Sequence, residues 1–186
     1  MAHYLESGLS ISFSFSLWKI RQYDLHTYYK GMSGRGLKGA DFVGLYKKDR
    51  LVIIEVKNYR YDSTLPPDTG KVVDEMYRKT EDTLIGLDAI RQMLERKWLY
   101  RNLSFILPYL PARSHDWPFW FQVSRLLRDK ERISLLLILE GLPENQRKQI
   151  KEQLRPELAE NIAAIHVYGK DQVAFEGLNI EGVGEI

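Results

Sequence analysis

The chain has 186 residues, 44% of them hydrophobic and 28% charged, with a formal net charge of +2 and no cysteine. That length and balance suit one globular domain with a sizeable core, and the missing cysteines exclude disulfides, thiol nucleophiles, thiolate zinc sites and iron–sulfur ligation. Met1 to Glu6 lack the basic-then-apolar pattern of a signal peptide, and the longest apolar run, Leu135 to Leu139, falls far short of the roughly 20 residues that span a bilayer, so the expectation is a cytoplasmic protein with no membrane partner.

Residues 10–18 alternate small polar and apolar side chains in period two, the pattern of one half-buried strand. Asp24 to Tyr29 reads as a short helix or a turn. Residues 30–40 place Gly31, Gly34, Gly36 and Gly39 among lysines and arginines, which predicts a basic loop. It is not a P-loop, because no Gly-Lys-Ser/Thr closes it.

Asp41–Lys47 and Leu51–Lys57 predict a hairpin. Glu55 and Lys57 end its second strand and, being two apart, share a face. A two-residue turn would set Asp41 opposite Val56 and send Asp41 and Glu55 to different faces. A three-residue loop, Lys48-Asp49-Arg50, would set Asp41 opposite Lys57 and Val43 opposite Glu55, with all three polar residues on one face. A polar cluster at Asp41, Glu55 and Lys57 therefore requires an odd loop or an equivalent bulge.

An irregular loop is expected over residues 58–70, where Pro66, Pro67 and Gly70 fall. Apolar residues at steps of three and four predict a long helix from Val72 to Tyr100. A strand is expected at Leu103–Leu107, a loop at Pro108–Pro118, a helix at Phe119–Asp129, a buried strand at Ile133–Glu140, a charged helix at Pro143–Glu160 and a strand at Ala163–Tyr168. Strands alternating with helices predict an α/β sheet with parallel crossovers in its second half. The whole chain, 1–186, reads as one domain, with a core over about residues 10–140 and a C-terminal α/β extension over about 141–186.

Two carboxylates and a lysine can hold a hard divalent cation and steer a water toward a phosphodiester. Charge supports such a site: residues 19–60 carry ten Lys/Arg against four Asp/Glu, whereas residues 61–186 are net acidic. Other chemistries lack their residues. His3, His26, His115 and His166 have no His-x-x-x-His spacing, and there is no Gly-x-Ser-x-Gly. The dense aromatics Tyr109, Trp117, Phe119, Trp120 and Phe121 are core, a self-association surface or a base-stacking platform. Asp74, Glu75, Glu81 and Asp82 lie on the polar side of the long helix and read as solvating charges.

Asp41 on one strand, Glu55-Val56-Lys57 on the next, then a long helix and another strand resemble the PD-(D/E)xK nuclease superfamily, also called the restriction-endonuclease-like fold. Glu55-Val56-Lys57-Asn58-Tyr59 is similar to the strand end of NERD-type and Mrr-like members, and Lys38-Gly39-Ala40-Asp41 to the approach in Holliday-junction resolvases. Ala40 stands where the family name has proline. The resemblance covers about residues 38–107. It implies a mixed β-sheet flanked by helices, Mg²⁺ or Mn²⁺ bound by Asp41, Glu55 and the Val56 carbonyl, and Lys57 assisting the attacking water. Many relatives add a third carboxylate, for which Glu6 is the best candidate and Asp24 the next. Lys38, Tyr59 and Arg60 would contact DNA, the implied partner, and a homodimer would bring two sites to a duplex. The alternative is a non-catalytic nucleic-acid-binding or assembly module that keeps the same fold.

Overall fold

Two mainly apolar runs, 51–56 and 133–139, interrupted by Glu55 and Ser134, form the centre of the molecule as adjacent buried strands. The computed structural model of the chain describes residues 1–34, 36–60, 67–96 and 116–182. Within them the chain is mixed α/β with two sheets. Strands β1 (Ala2–Glu6) and β2 (Leu9–Phe13) form a hairpin, followed by β3 (Trp18–Gln22), helix α1 (Thr27–Ser33), β4 (Phe42–Tyr46) and β5 (Arg50–Asn58). Helix α2 (Thr69–Arg96) and helix α3 (Trp117–Leu126) lead to β6 (Ile133–Glu140), helix α4 (Glu144–Leu158), β7 (Ala164–Tyr168) and β8 (Leu178–Gly182).

The larger sheet has the order β3-β4-β5-β6-β7. Its first three strands are antiparallel neighbours, and β5, β6 and β7 are parallel. The parallel second half agrees with the expectation from alternating strands and helices. The smaller sheet, β1-β2-β8, joins the two ends of the chain through antiparallel pairs such as Ile11↔Ile180.

Strand periodicity divides the core in two. Val43, Leu45, Leu51, Ile53, Leu135, Leu137 and Leu139 point to one face and pack against α2, α3 and α4. Phe42, Val52, Ile54, Val56, Leu136 and Ile138 point to the other and pack against Leu9, Ile11, Phe13 and Leu178 of the smaller sheet. The large sheet is therefore covered on both faces, which explains why β6 is buried at every residue.

The single strand expected over residues 10–18 is two strands in two sheets. The chain turns at Ser14, whose carbonyl accepts the backbone N–H of both Leu17 and Trp18, at 3.2 and 2.9 Å. The strands Ala2–Glu6 and Leu178–Gly182 lie outside the elements expected from the sequence. Helix α2 begins at Thr69, three residues before the expected Val72. Its expected end at Tyr100, the strand Leu103–Leu107 and most of the 108–118 loop lie outside the described residues. Phe119, Trp120 and Phe121 are buried in the helix-side core, so this part of the aromatic cluster is packing. Among the described residues, no helix is long and apolar enough to cross a membrane.

Candidate functional site

The β4–β5 hairpin sets the site. Its loop has three residues, Lys47-Lys48-Asp49, between the paired Tyr46 and Arg50. The odd count required for a shared face is met, but the loop sits one residue earlier than expected. Lys47 and Lys48 adopt φ of 48° and 64°, and the Asp49 N–H returns to the Tyr46 carbonyl at 3.2 Å. The Lys47 N–H also donates to the Leu17 carbonyl at 2.8 Å, which seats the turn against the β2–β3 corner. The ladder runs Phe42↔Ile54 and Val43↔Ile53. Continued by one pair, it places Asp41 across from Glu55, not from Lys57, and Ile53 rather than Glu55 opposite Val43. A shift of two residues preserves the face, so Asp41, Glu55 and Lys57 still belong to the side that faces α2.

Both carboxylates are taken out of water: Asp41 is 7% exposed and Glu55 2%. Asp41 Oδ2 accepts the Val56 N–H at 2.7 Å. Burial raises the Asp41 pKa above the usual carboxylate range, against the Val56 hydrogen bond and the Lys79 ammonium, with Glu6 and Asp24 adding to the rise. Burial, and then the charge of Asp41, raise the Glu55 pKa further, against Lys79 and Lys57. Among the described residues Glu55 Oε2 is buried without a hydrogen-bond partner, a condition that costs free energy unless something else fills it.

Helix α2 supplies what sequence reading missed. Glu75, Lys79, Asp82 and Thr83 recur at helical spacing and meet the end of β5 and the strand entering β4. The Lys79 ammonium pairs with Glu55 Oε1. Burial alone would depress Lys79, but Glu55, Asp41 and Glu75 hold its pKa above the ordinary lysine value. Lys57 Nζ pairs with Glu75 Oε1 at 3.1 Å. Asp82 Oδ2 accepts the Lys38 N–H at 2.9 Å, and Thr83 Oγ1 accepts the Ala40 N–H at 2.8 Å. Glu75 and Asp82, expected as solvating charges, therefore hold the site together. The helical spacing of Glu75, Lys79 and Thr83 was visible in the sequence, but nothing local linked it to Glu55.

The remaining candidates are distributed as follows. Glu6 lies beside the two-residue β1–β2 turn, where Ser7 and Gly8 have φ of 50° and 71°. It comes near enough to raise the Asp41 pKa. The neighbouring Ser7 hydroxyl donates to the Val56 carbonyl at 3.1 Å, using one of that oxygen's two lone pairs. Asp24 follows the Tyr23 N–H, which donates to the Asp41 carbonyl at 2.8 Å, and burial raises its pKa. The Lys38 side chain is exposed. Tyr59 packs against the helix-side core, and Arg60 pairs with Glu140 rather than with the Asp41 cluster.

Among the described residues, no three His, Cys, Asp or Glu side chains converge into a group able to hold a metal. Asp41 and Glu55 form a pair. The pair suits an ion that takes few protein oxygens and keeps several waters, as Mg²⁺ does. No family model, curated protein or solved structure matches the chain.

Proposed function

We propose that this chain is a cytoplasmic, divalent-metal-dependent nuclease of the PD-(D/E)xK type that hydrolyses phosphodiester bonds of DNA. The observation that carries the reading is the pair of buried carboxylates, Asp41 and Glu55, at one sheet end, with Glu55 Oε2 left without a partner among the described residues. Burying two acids side by side opposes folding, so the arrangement calls for a cation. Further support comes from the order of elements, three antiparallel neighbours β3, β4 and β5 followed by helices α2 and α3 and a parallel β6.

The donor set fits Mg²⁺ or Mn²⁺: hard carboxylate oxygens, one of them orphaned, beside a carbonyl with a remaining lone pair on Val56. Asp41 and Glu55 would hold the ion, which when bound supplies Lewis-acid polarisation of a phosphate and a water of lowered pKa. Lys57, 32% exposed on the same face, leaves Glu75 to contact a phosphate oxygen and orient the attacking water. Glu6 and Asp24 add negative charge around the pair. Lys38 and the basic excess of residues 19–60 attract the polyanion. A homodimer would place two such sites on a duplex.

A second reading has its own observation. Lys79 already supplies Glu55 with a cation, as a non-catalytic binding or assembly module of the same architecture would need. Cleavage of supercoiled plasmid and labelled oligonucleotides with Mg²⁺, Mn²⁺ or EDTA separates the two. The nuclease reading expects metal-dependent cutting that Asp41→Ala and Lys57→Ala both abolish. Folded protein that fails to cut with any of these metals supports the module.

A further inference from the structure

A second polar constellation lies at the carboxyl ends of the parallel strands. Strands β5, β6 and β7 end there at Asn58, Glu140 and Tyr168, and α4 begins just beyond. In sheets of this kind ligands bind outside the carboxyl ends of the strands. The cleft has a volume of about 480 Å³, within the range of small-ligand sites. Its walls carry three cations, Arg60, Arg147 and Lys170, and two carboxylates, Glu140 and Asp171.

Of those carboxylates, Glu140 pairs closely with one cation and Asp171 lies at the edge of pairing distance from another. Glu140 is 4% exposed, and both its oxygens are engaged: Oε1 by the Arg60 guanidinium at 2.5 Å and Oε2 by the Lys170 backbone N–H at 3.0 Å. It acts as a strut that aims Arg60 and the 168–170 turn. Asp171 is 81% exposed and 4.0 Å from Lys170 Nζ, so water screens it. Arg147 has no carboxylate within ion-pair distance among the described residues. Its guanidinium instead donates to two neutral oxygens, the Leu142 carbonyl and, at 2.8 Å, Gln172 Oε1. A guanidinium held by neutral acceptors keeps its full charge and has further N–H groups to give.

The backbone is shaped around these cations. Gly141 has φ of +85°, and a Cβ there would meet the Arg60 N at 2.9 Å. A Cβ at Gly169 would meet Arg147 Nη1 at 3.1 Å and Cζ at 3.3 Å. The positive end of the 15-residue α4 opens onto the same cleft and adds to the attraction for anions.

We infer that this cleft binds a phosphate group, with Arg147 as its principal contact and Arg60 and Lys170 closing around the remaining oxygens. Planar N–H forks match phosphate oxygens two at a time. The inference does not depend on the nuclease reading, because nothing in the cleft belongs to the Asp41–Glu55 pair.

The test is calorimetric titration of the full chain with inorganic phosphate in EDTA, for the parent, Arg147→Gln, Gly169→Ala and Lys170→Gln, each checked for folding by circular dichroism. Lys170→Gln keeps the backbone N–H that holds Glu140, so it preserves the strut. The expected result is saturable binding by the parent, weakened at least tenfold in every folded variant. No saturable binding by the folded parent overturns the inference, and so does binding that all folded variants retain at parental strength. A 5′-phosphorylated oligonucleotide bound more tightly than its 5′-hydroxyl twin, with the difference lost in Lys170→Gln, assigns the phosphate to a nucleic-acid end. Equal affinity for the two, with inorganic phosphate still bound, assigns it to a small phosphate ligand. EDTA keeps cleavage out of the readout, so a loss of nuclease activity and a loss of this site register separately.

Discussion

Lys79, from the middle of α2, closes an ion pair onto Glu55, a carboxylate 2% exposed at the end of β5. The pair joins the helix layer to the sheet and puts an ammonium beside the Asp41–Glu55 pair. Lys79→Ala leaves a buried carboxylate without its cation, a change that costs about 3 kcal/mol in comparable buried pairs. Urea unfolding at pH 8 should show that loss. At pH 5 it should shrink, because Glu55 can take a proton instead. An equal loss at both pH values would mean that Lys79 acts through packing and not through charge.

The same two carboxylates make stability fall with rising pH in metal-free buffer. Both pKa values are raised, first by burial. Above the usual range near 4 the unfolded chain has released both protons while the folded chain still holds at least one. Unfolding then releases protons, so the free energy of unfolding declines as pH rises through that window and levels once the folded pair has ionised. Asp41→Asn should flatten this slope and be more stable than the parent at pH 8; Glu55→Gln should also flatten it, without that gain, because it leaves the largely buried Lys79 ammonium unpaired. A parent and variants with parallel stability–pH curves would contradict it.

Divalent metal should reverse that cost. Thermal melts at pH 8 with Mg²⁺ or Mn²⁺ should rise in the parent, by about 2.7 kcal/mol at one hundred times the dissociation constant. The rise should disappear in Asp41→Asn and Glu55→Gln and grow in Lys79→Ala, where no ammonium competes. Identical melts with and without metal in all four proteins would favour the non-catalytic module.

Lys57 is about a third exposed, and its ion pair among the described residues is with Glu75 on the surface of α2. Exposed pairs of this kind contribute about 0.2–1 kcal/mol. Lys57→Ala should therefore melt within about 1 kcal/mol of the parent while losing all cleavage, and Glu75→Gln should retain cleavage. Parental turnover by Lys57→Ala would remove Lys57 from the reaction.

A control for folding lies on the opposite face of the sheet. Gly44 packs under β3, where an added Cβ would meet Ile20 Cδ1 at 2.8 Å and the Trp18 ring at 3.1 Å. Gly44→Ala should cost about 1–3 kcal/mol by overpacking while leaving metal binding unchanged at temperatures where the protein is folded. Denaturant midpoints and metal titration on one sample check both halves.

Much of this architecture was written in local pattern. The apolar run of β6, the shared face of Glu55 and Lys57 in the β4–β5 hairpin and the helical steps of α2 follow from side-chain periods of 2 and 3.6, whereas the face of Asp41 hung on whether the hairpin loop was odd or even. Three features depended on contacts between distant residues. The hairpin loop closes one residue earlier than expected, with the Lys47 N–H held by the Leu17 carbonyl, and that register sets Asp41 against Glu55. Lys79 and Glu75 became partners of Glu55 and Lys57 only when α2 packed on the sheet, since helical spacing states a face but not what the face meets. The pairing of β2 with β8 joins residues near opposite ends of the chain, and no short-range signal encodes it. Local periodicity determined which residues share a surface; tertiary packing decided which charges on those surfaces touch, because ion pairs and sheet register depend on how whole elements dock.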